Sequence, residues 1–269
     1  MHDLLNTIYL GIIEGITEFL PISSTGHLLI AEHWLGARSE LFNVAIQAGA
    51  ILAIVLIYWR RLLQLVTGLN EPANRDYALK FAVSVLITVV FAFIATRLGA
   101  KLPETVLPVA IAMFAGGVII LIVEKIVASK PSLSGVTWSV VVWVGLAQVV
   151  AGVFPGTSRS AAAIFAAMLA GLTSRPAATE FAFLVGIPIM FAATAYEYLK
   201  SRHGAADAPA VPEDWHALGV AFVVSGIVAF ISVKWLLRYV QSHRFTVFAW
   251  YRIVFGAVLL ALVANGTLA

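Results

Sequence analysis

The chain is 269 residues long, 61% hydrophobic and only 12% charged, with a mean hydropathy of +0.96. These values exclude a soluble globular domain and place the chain in a bilayer. The formal charge of +3 is no argument for nucleic acid, because multi-pass proteins gather Lys and Arg in cytoplasmic loops for topological reasons, and no nucleic-acid partner is expected. There is no cysteine, which removes disulfides, thiolate nucleophiles and zinc-thiolate sites. Apolar runs such as Val83 to Ala95 and Val109 to Val123 carry hydrophobic residues on every face, a helical and not a barrel-strand pattern. His2 and Asp3 stand where a secretory leader would be basic, and Glu14 and Glu18 sit in the far half of the first apolar segment, so no cleavable signal is expected.

In chain order, the pattern predicts an all-α polytopic membrane protein made of two related halves. The first, 1–134, holds an interrupted pair over 4–35 and spans over 41–60, 79–99 and 105–124. The second, 135–269, holds a pair over 137–171 and spans over 180–199, 215–239 and 247–268. The loop from Ser201 to Trp215, rich in Gly, Pro, Ala and acids, is the clearest linker. The halves are related because Gly11, Glu14, Pro21, Ser23 and Ser24 align at one offset with Gly145, Gln148, Pro155, Thr157 and Ser158. The arms around Pro21 and Pro155 are too short to cross about 30 Å of hydrocarbon, so each pair reads as re-entrant. Three true spans per half then invert the second half relative to the first, giving an inverted repeat of six transmembrane helices plus two re-entrant pairs, in one membrane domain. Lys and Arg are richer on the side holding Arg60, Arg61, Arg75, Lys80, Lys125, Lys130, Arg175, Arg238 and Arg244 than on the side of Arg38, Arg97, Lys101, Lys200 and Arg202. The richer side is expected to be cytoplasmic, with both termini and the entrance to the first polar tip outside.

Irregular backbone at membrane depth is tolerated only inside protein or beside a watery cavity, so both polar tips should line one site. The first tip carries Glu14 and Glu18 four residues apart on one helical face, a pair of oxygen donors suited to Mg²⁺ or Ca²⁺. Two acids in an apolar helix are costly, which favours function over a place near the interface. Pro21 followed by Ser23, Ser24, Thr25 and Gly26 reads as a helix start, whose free N–H groups suit phosphate. His27 falls three residues after Ser24, as a nucleophile and its proton carrier would require, although a lone membrane histidine is often a packing residue. The second tip repeats the design with Thr157, Ser158 and Ser160, and adds Arg159, whose planar fork matches phosphate oxygens. Gln148 replaces the glutamate of the first tip, so one active site is expected, not two. Gln47 is a candidate hydrogen-bonding residue of the site, with an interhelical contact as its alternative. Glu180 competes evenly between a site role and a helix-start role. Arg252, beside Trp250 and Tyr251, is read as an interfacial anchor.

The run Glu14-Gly-Ile-Thr-Glu18-Phe-Leu-Pro-Ile-Ser-Ser24-Thr-Gly-His27 resembles the first signature of the undecaprenyl-diphosphatase (bacitracin-resistance) family, and Pro155-Gly-Thr-Ser158-Arg159-Ser160 resembles the second. The likeness extends to Phe42–Gly49, Glu180–Leu184 and Tyr251–Ile253, and so covers nearly the whole chain. It implies a metal-dependent phosphatase of the bacterial inner membrane that converts undecaprenyl diphosphate to undecaprenyl phosphate, recycling a carrier for peptidoglycan and lowering bacitracin sensitivity. By the same resemblance the acidic motif falls on Glu14 and Glu18, the catalytic Ser and His on Ser24 and His27, and the phosphate-binding Arg on Arg159. One departure stands out: Ala161-Ala162-Ala163 replaces a Gly, a small residue and a Thr, so a hydroxyl is missing. The partners expected are a polyprenyl diphosphate, membrane lipid and a second copy of the chain as a homodimer. Attack by Ser24, by water or by His27 all remain open on sequence, and the rival reading is a carrier or flippase of a polyprenyl phosphate, since inverted repeats with broken helices also mark transporters.

Overall fold

The computed structural model describes residues 2–100, 105–203 and 214–268. The linker expected over 201–215 falls mostly outside them, as does Lys101, and nothing is described of the side chains of Lys200 and Arg202. Among the described residues every regular element is an α-helix: α1 His2–Thr17, α2 Ser24–Leu35, α3 Glu40–Thr67, α4 Pro72–Arg97, α5 Val106–Val127, α6 Trp138–Val153, α7 Arg159–Leu169, α8 Arg175–His203, α9 Trp215–Tyr239 and α10 Thr246–Ala264.

Length separates them into two kinds. Six are long and apolar enough to span: α3, α4, α5, α8, α9 and α10. They match the expected spans, with α3 running on to Thr67 and α4 and α8 starting earlier, at Pro72 and Arg175, because polar residues such as Arg60, Arg61, Arg75 and Arg175 continue the helices past the apolar core. The other four, at 16, 12, 16 and 11 residues for α1, α2, α6 and α7, are about 24 Å or less at 1.5 Å per residue, short of a hydrocarbon core. The apolar side chains on the spans that face outward, including Leu56, Leu86, Phe93, Ile119, Ile227 and Val254, are surface that only lipid would cover favourably.

The long helices wrap the short ones. Helix α1 packs on α9, and α6 packs on α4; α3 touches α8 and α9, α4 touches α8, and α5 lies against α10. Exchanging the two sets of five helices maps these main pairings onto one another. The core between them holds Phe19, Ile51, Ile54, Ile164, Met168, Phe181 and Leu184, all buried. At the far end from the short helices' turns, Glu124 of α5 is 1% exposed. It accepts from Arg175 Nε of α8 at 2.9 Å, also from Arg175 Nη2, and from the backbone N–H of Phe245 before α10 at 2.9 Å.

Candidate active site

The two breaks in the short helices are built alike. Ser23 caps α2 and Ser158 caps α7, and these are the two non-glycine residues with positive φ among those described, at 72° and 69°. Ser23 Oγ accepts from Gly26 N at 3.4 Å and Ser158 Oγ from Ala161 N at 3.3 Å. A serine held at positive φ is strained by roughly 1 kcal/mol or more, and such strain collects at functional sites. The shared geometry corrects the repeat alignment by one residue at the turns. Ser23 corresponds to Ser158 and not Thr157, so Ser24 and Arg159 occupy the same first position of their helices. From the aligned prolines the second turn takes one residue more to reach its cap, three from Pro155 to Ser158 against two from Pro21 to Ser23; within it Gly156 sits at φ 85°, and any Cβ there would come within 2.7 Å of Val109 O.

Ser23, Ser24 and Thr25 line one small polar cavity with Glu18, Gln47, Ser158 and Arg159. Inside it Ser24 Oγ donates to Glu18 Oε2 at 2.5 Å. Ser160 Oγ donates to Leu20 O at 3.1 Å and lies 3.1 Å from Ser158 Oγ, tying the second turn to the first. Glu14 is fully buried, and neither carboxylate oxygen has a hydrogen-bond partner. It lies close enough to Glu18 for the two acids to interact, with Arg159 as the nearby cation. Gly26 is fixed by packing, since a Cβ would sit 2.6 Å from Met113 Sδ. A second, mostly apolar recess shares Glu18 and Arg159 with it, takes in Ser160 and runs past Ile51, Phe183, Ile187 and Met190. Beyond it, an apolar cavity of about 380 Å³ lies between α3, α8 and α9, walled by Ala48, Phe191 and Phe222.

Of the expected members, Glu14, Gly26, His27, Thr157, Ser160 and Glu180 do not line this polar cavity, Ser160 lining the recess instead. The Glu180 carboxylate is 3.5 Å from Arg61, and Arg61 lies over the Tyr77 ring at 4.3 Å, so Glu180 belongs to a separate ion pair. His27 makes no hydrogen bond to Ser24. Its Nδ1 is 2.7 Å from Ser23 O and its Nε2 2.6 Å from Tyr251 Oη, and the ring is stacked on Phe255 at 4.7 Å and on Tyr251 at 5.7 Å. Since a carbonyl can only accept, Nδ1 carries a proton, and in the neutral ring Nε2 accepts from the tyrosine hydroxyl. The helical spacing put Ser24 and His27 near each other, but the ring reaches back to the carbonyl of its own turn and into the aromatic face of α10.

Gln148 lines the apolar recess, where its Nε2 donates to Ala182 O at 3.5 Å. Arg252 is no interfacial anchor. It is 0% exposed. Its Nη1 donates to Pro21 O at 3.3 Å and Thr157 O at 3.1 Å, Nη2 to Gly156 O and Ala112 O at 3.1 Å each, and Nε to Met113 O at 3.3 Å. The signal that could have found it is its place well inside a span, where an arginine is rarely idle.

Residues 7–258 match the model of the bacitracin resistance protein BacA family. The chain belongs to the BacA family. Among its curated relatives, the undecaprenyl-diphosphatase of Rhizobium johnstonii is 58% identical over 99% of this chain and 100% of its own length. That of Rhizobium etli is 59% identical over the same shares, and that of Xanthomonas campestris 56% over 97% of this chain and 98% of its own. Both BacA-like signatures of this chain therefore contribute to one cavity: Glu18, Ser23, Ser24 and Thr25 from the first, Ser158 and Arg159 from the second.

Proposed function

We propose that the chain is a membrane phosphatase that hydrolyses undecaprenyl diphosphate to undecaprenyl phosphate and inorganic phosphate, with Ser24 as nucleophile. The observation that carries this is the 2.5 Å hydrogen bond from Ser24 Oγ to Glu18 Oε2, in a cavity that Arg159 also lines. A serine is a weak nucleophile until a neighbouring base takes its proton, and here the Glu18 carboxylate already accepts the hydroxyl's hydrogen bond. Ser24 Oγ bonds to the terminal phosphorus as its proton passes to Glu18. The bond from phosphorus to the bridging oxygen breaks, and undecaprenyl phosphate leaves as an anion that needs no proton. Water then attacks the phosphoserine, Ser24 recovers its proton from Glu18, and dihydrogen phosphate departs. Arg159, at the start of α7, faces the developing charge with a fork of donors, and the N-termini of α2 and α7 favour an anion between them. His27 serves this reading from behind, by holding the carbonyl of the strained Ser23.

The resident cation in this reading is Mg²⁺ or Ca²⁺. The donor set fits: Glu14 brings two buried oxygens with no partner, and Glu18 one oxygen beyond that bonded to Ser24. Two buried carboxylates side by side are costly without a counter-charge. When bound there, the ion would offset the negative charge of the diphosphate. The apolar recess and the cavity between α3, α8 and α9 suit a prenyl chain leaving the polar site.

The inner-membrane setting, the outward-opening cavity and the inverted relation of halves 1–134 and 135–269 belong to this proposal. The exchangeable helix pairings and the twin serine caps support the last. A flippase would share that architecture, yet it has no use for a serine bonded to a carboxylate. The deciding experiment is phosphate release by purified protein in detergent, with undecaprenyl diphosphate as substrate. Release by the parental chain and its loss in Ser24→Ala support the reading; equal release by both sinks the nucleophile.

A further inference from the structure

We propose that Arg252 is a positioning residue that locks the two catalytic turns into one rigid unit. A guanidinium has five N–H donors, and each of them here meets a different main-chain carbonyl. Those carbonyls are not scattered. Pro21 O lies two residues before the Ser23 cap, Gly156 O and Thr157 O immediately before the Ser158 cap, and Ala112 O and Met113 O on α5 between them. One planar group therefore bridges the backbone of both strained turns and the helix that supports them. No carboxylate accepts from it among the described residues, so its charge is satisfied by carbonyl dipoles alone. A cation buried without a counter-ion is costly, and an apolar residue would fill the space at less cost. What the arginine adds is a fixed distance between Ser24 and Arg159, which begin the helices that follow the two turns. The space is prepared for it as well: a Cβ at Gly116 would sit 2.2 Å from Arg252 Nη2.

The inference rests on Ser24 and Arg159 acting together, and it separates from that reading in two measurements. The first needs no activity. Because the chain lacks cysteine, Trp34→Cys on α2 and Leu169→Cys on α7, both exposed, can carry spin labels that report the distance between the two helices. Arg252→Lys, which keeps the charge but cannot reach five carbonyls, should broaden that distance distribution; an unchanged distribution overturns the proposal. The second is a double-substitution cycle on phosphate release. Arg252→Lys should lower kcat by about a hundredfold, the scale of an ångström of misplacement, with KM changed less than threefold. In an Arg159→Ala background the same change should cost tenfold less, since the distance it protects no longer matters. A purely structural role predicts equal losses in both backgrounds, and that result would also refute the idea. Should Arg252→Lys fail to insert, Gly116→Ala takes its place in both measurements, because it pushes the guanidinium aside without removing it.

Discussion

Ser24, Glu18 and Arg159 are the residues on which turnover should depend most steeply. Glu18→Gln keeps the shape and the hydrogen bond but cannot accept a proton, so kcat should fall by about a thousandfold or more, within the range for losing a general base and an electrostatic partner together. Arg159→Lys should lose about a hundredfold while thermal unfolding in detergent stays near that of the parent, because lysine keeps the charge but not the two-pronged donor set. Near-parental turnover in Arg159→Lys would show that a bare charge suffices. Glu180→Gln should change turnover less than threefold, since its carboxylate is engaged with Arg61 outside the cavity. The acids, the serines and Arg159 were legible in the sequence because costly residues crowd two short motifs. Arg252 was not, because its partners are main-chain carbonyls, which any residue type supplies and no one-letter code marks. Tyr251 escaped for a related reason: its hydroxyl matters only once α10 is folded against His27.

Among the elements, the four short helices and their breaks supply most of the polar cavity's lining, with Gln47 of α3 beside them, and the long helices pack around them. The interrupted pairs could be read from arm length and proline, yet the equivalence of Ser23 with Ser158 could not. It depends on backbone dihedrals, the positive φ shared by the two serine caps, which the letters do not mark. The same division of labour sets the expectation for Glu124, which gathers α5, α8 and the start of α10 away from the cavity. Glu124→Ala strands Arg175 and the Phe245 N–H, a loss of about 2 to 3 kcal/mol for hydrogen bonds to a charged group. Thermal unfolding should therefore shift down clearly, while kcat per folded molecule remains within about threefold. A drop in kcat without a drop in stability would mean that this strut reaches the site.

At the scale of the whole molecule, six spans and an all-helical architecture follow from hydropathy and length alone, which is why they were readable before any coordinates. Cation dependence should be visible in the whole fold as well as in turnover. Chelation should abolish phosphate release, and adding Mg²⁺ or Ca²⁺ at about a hundredfold over its dissociation constant should stabilise the folded state by about 2.7 kcal/mol. Glu14→Gln should remove most of that thermal shift, and an identical shift in the variant would place the cation elsewhere. The position of Arg252 on the last helix adds a consequence for biogenesis. The chain emerges N-terminus first, so both turns are made and inserted well before the residue that joins them. Until α10 enters, five carbonyls around the turns await their donor. A ribosome-arrested chain ending before Thr246 should therefore be cut by protease at the 18–24 and 153–159 turns, whereas one extended beyond Ala264 should resist, so that the enzyme gains its active site only with its final helix.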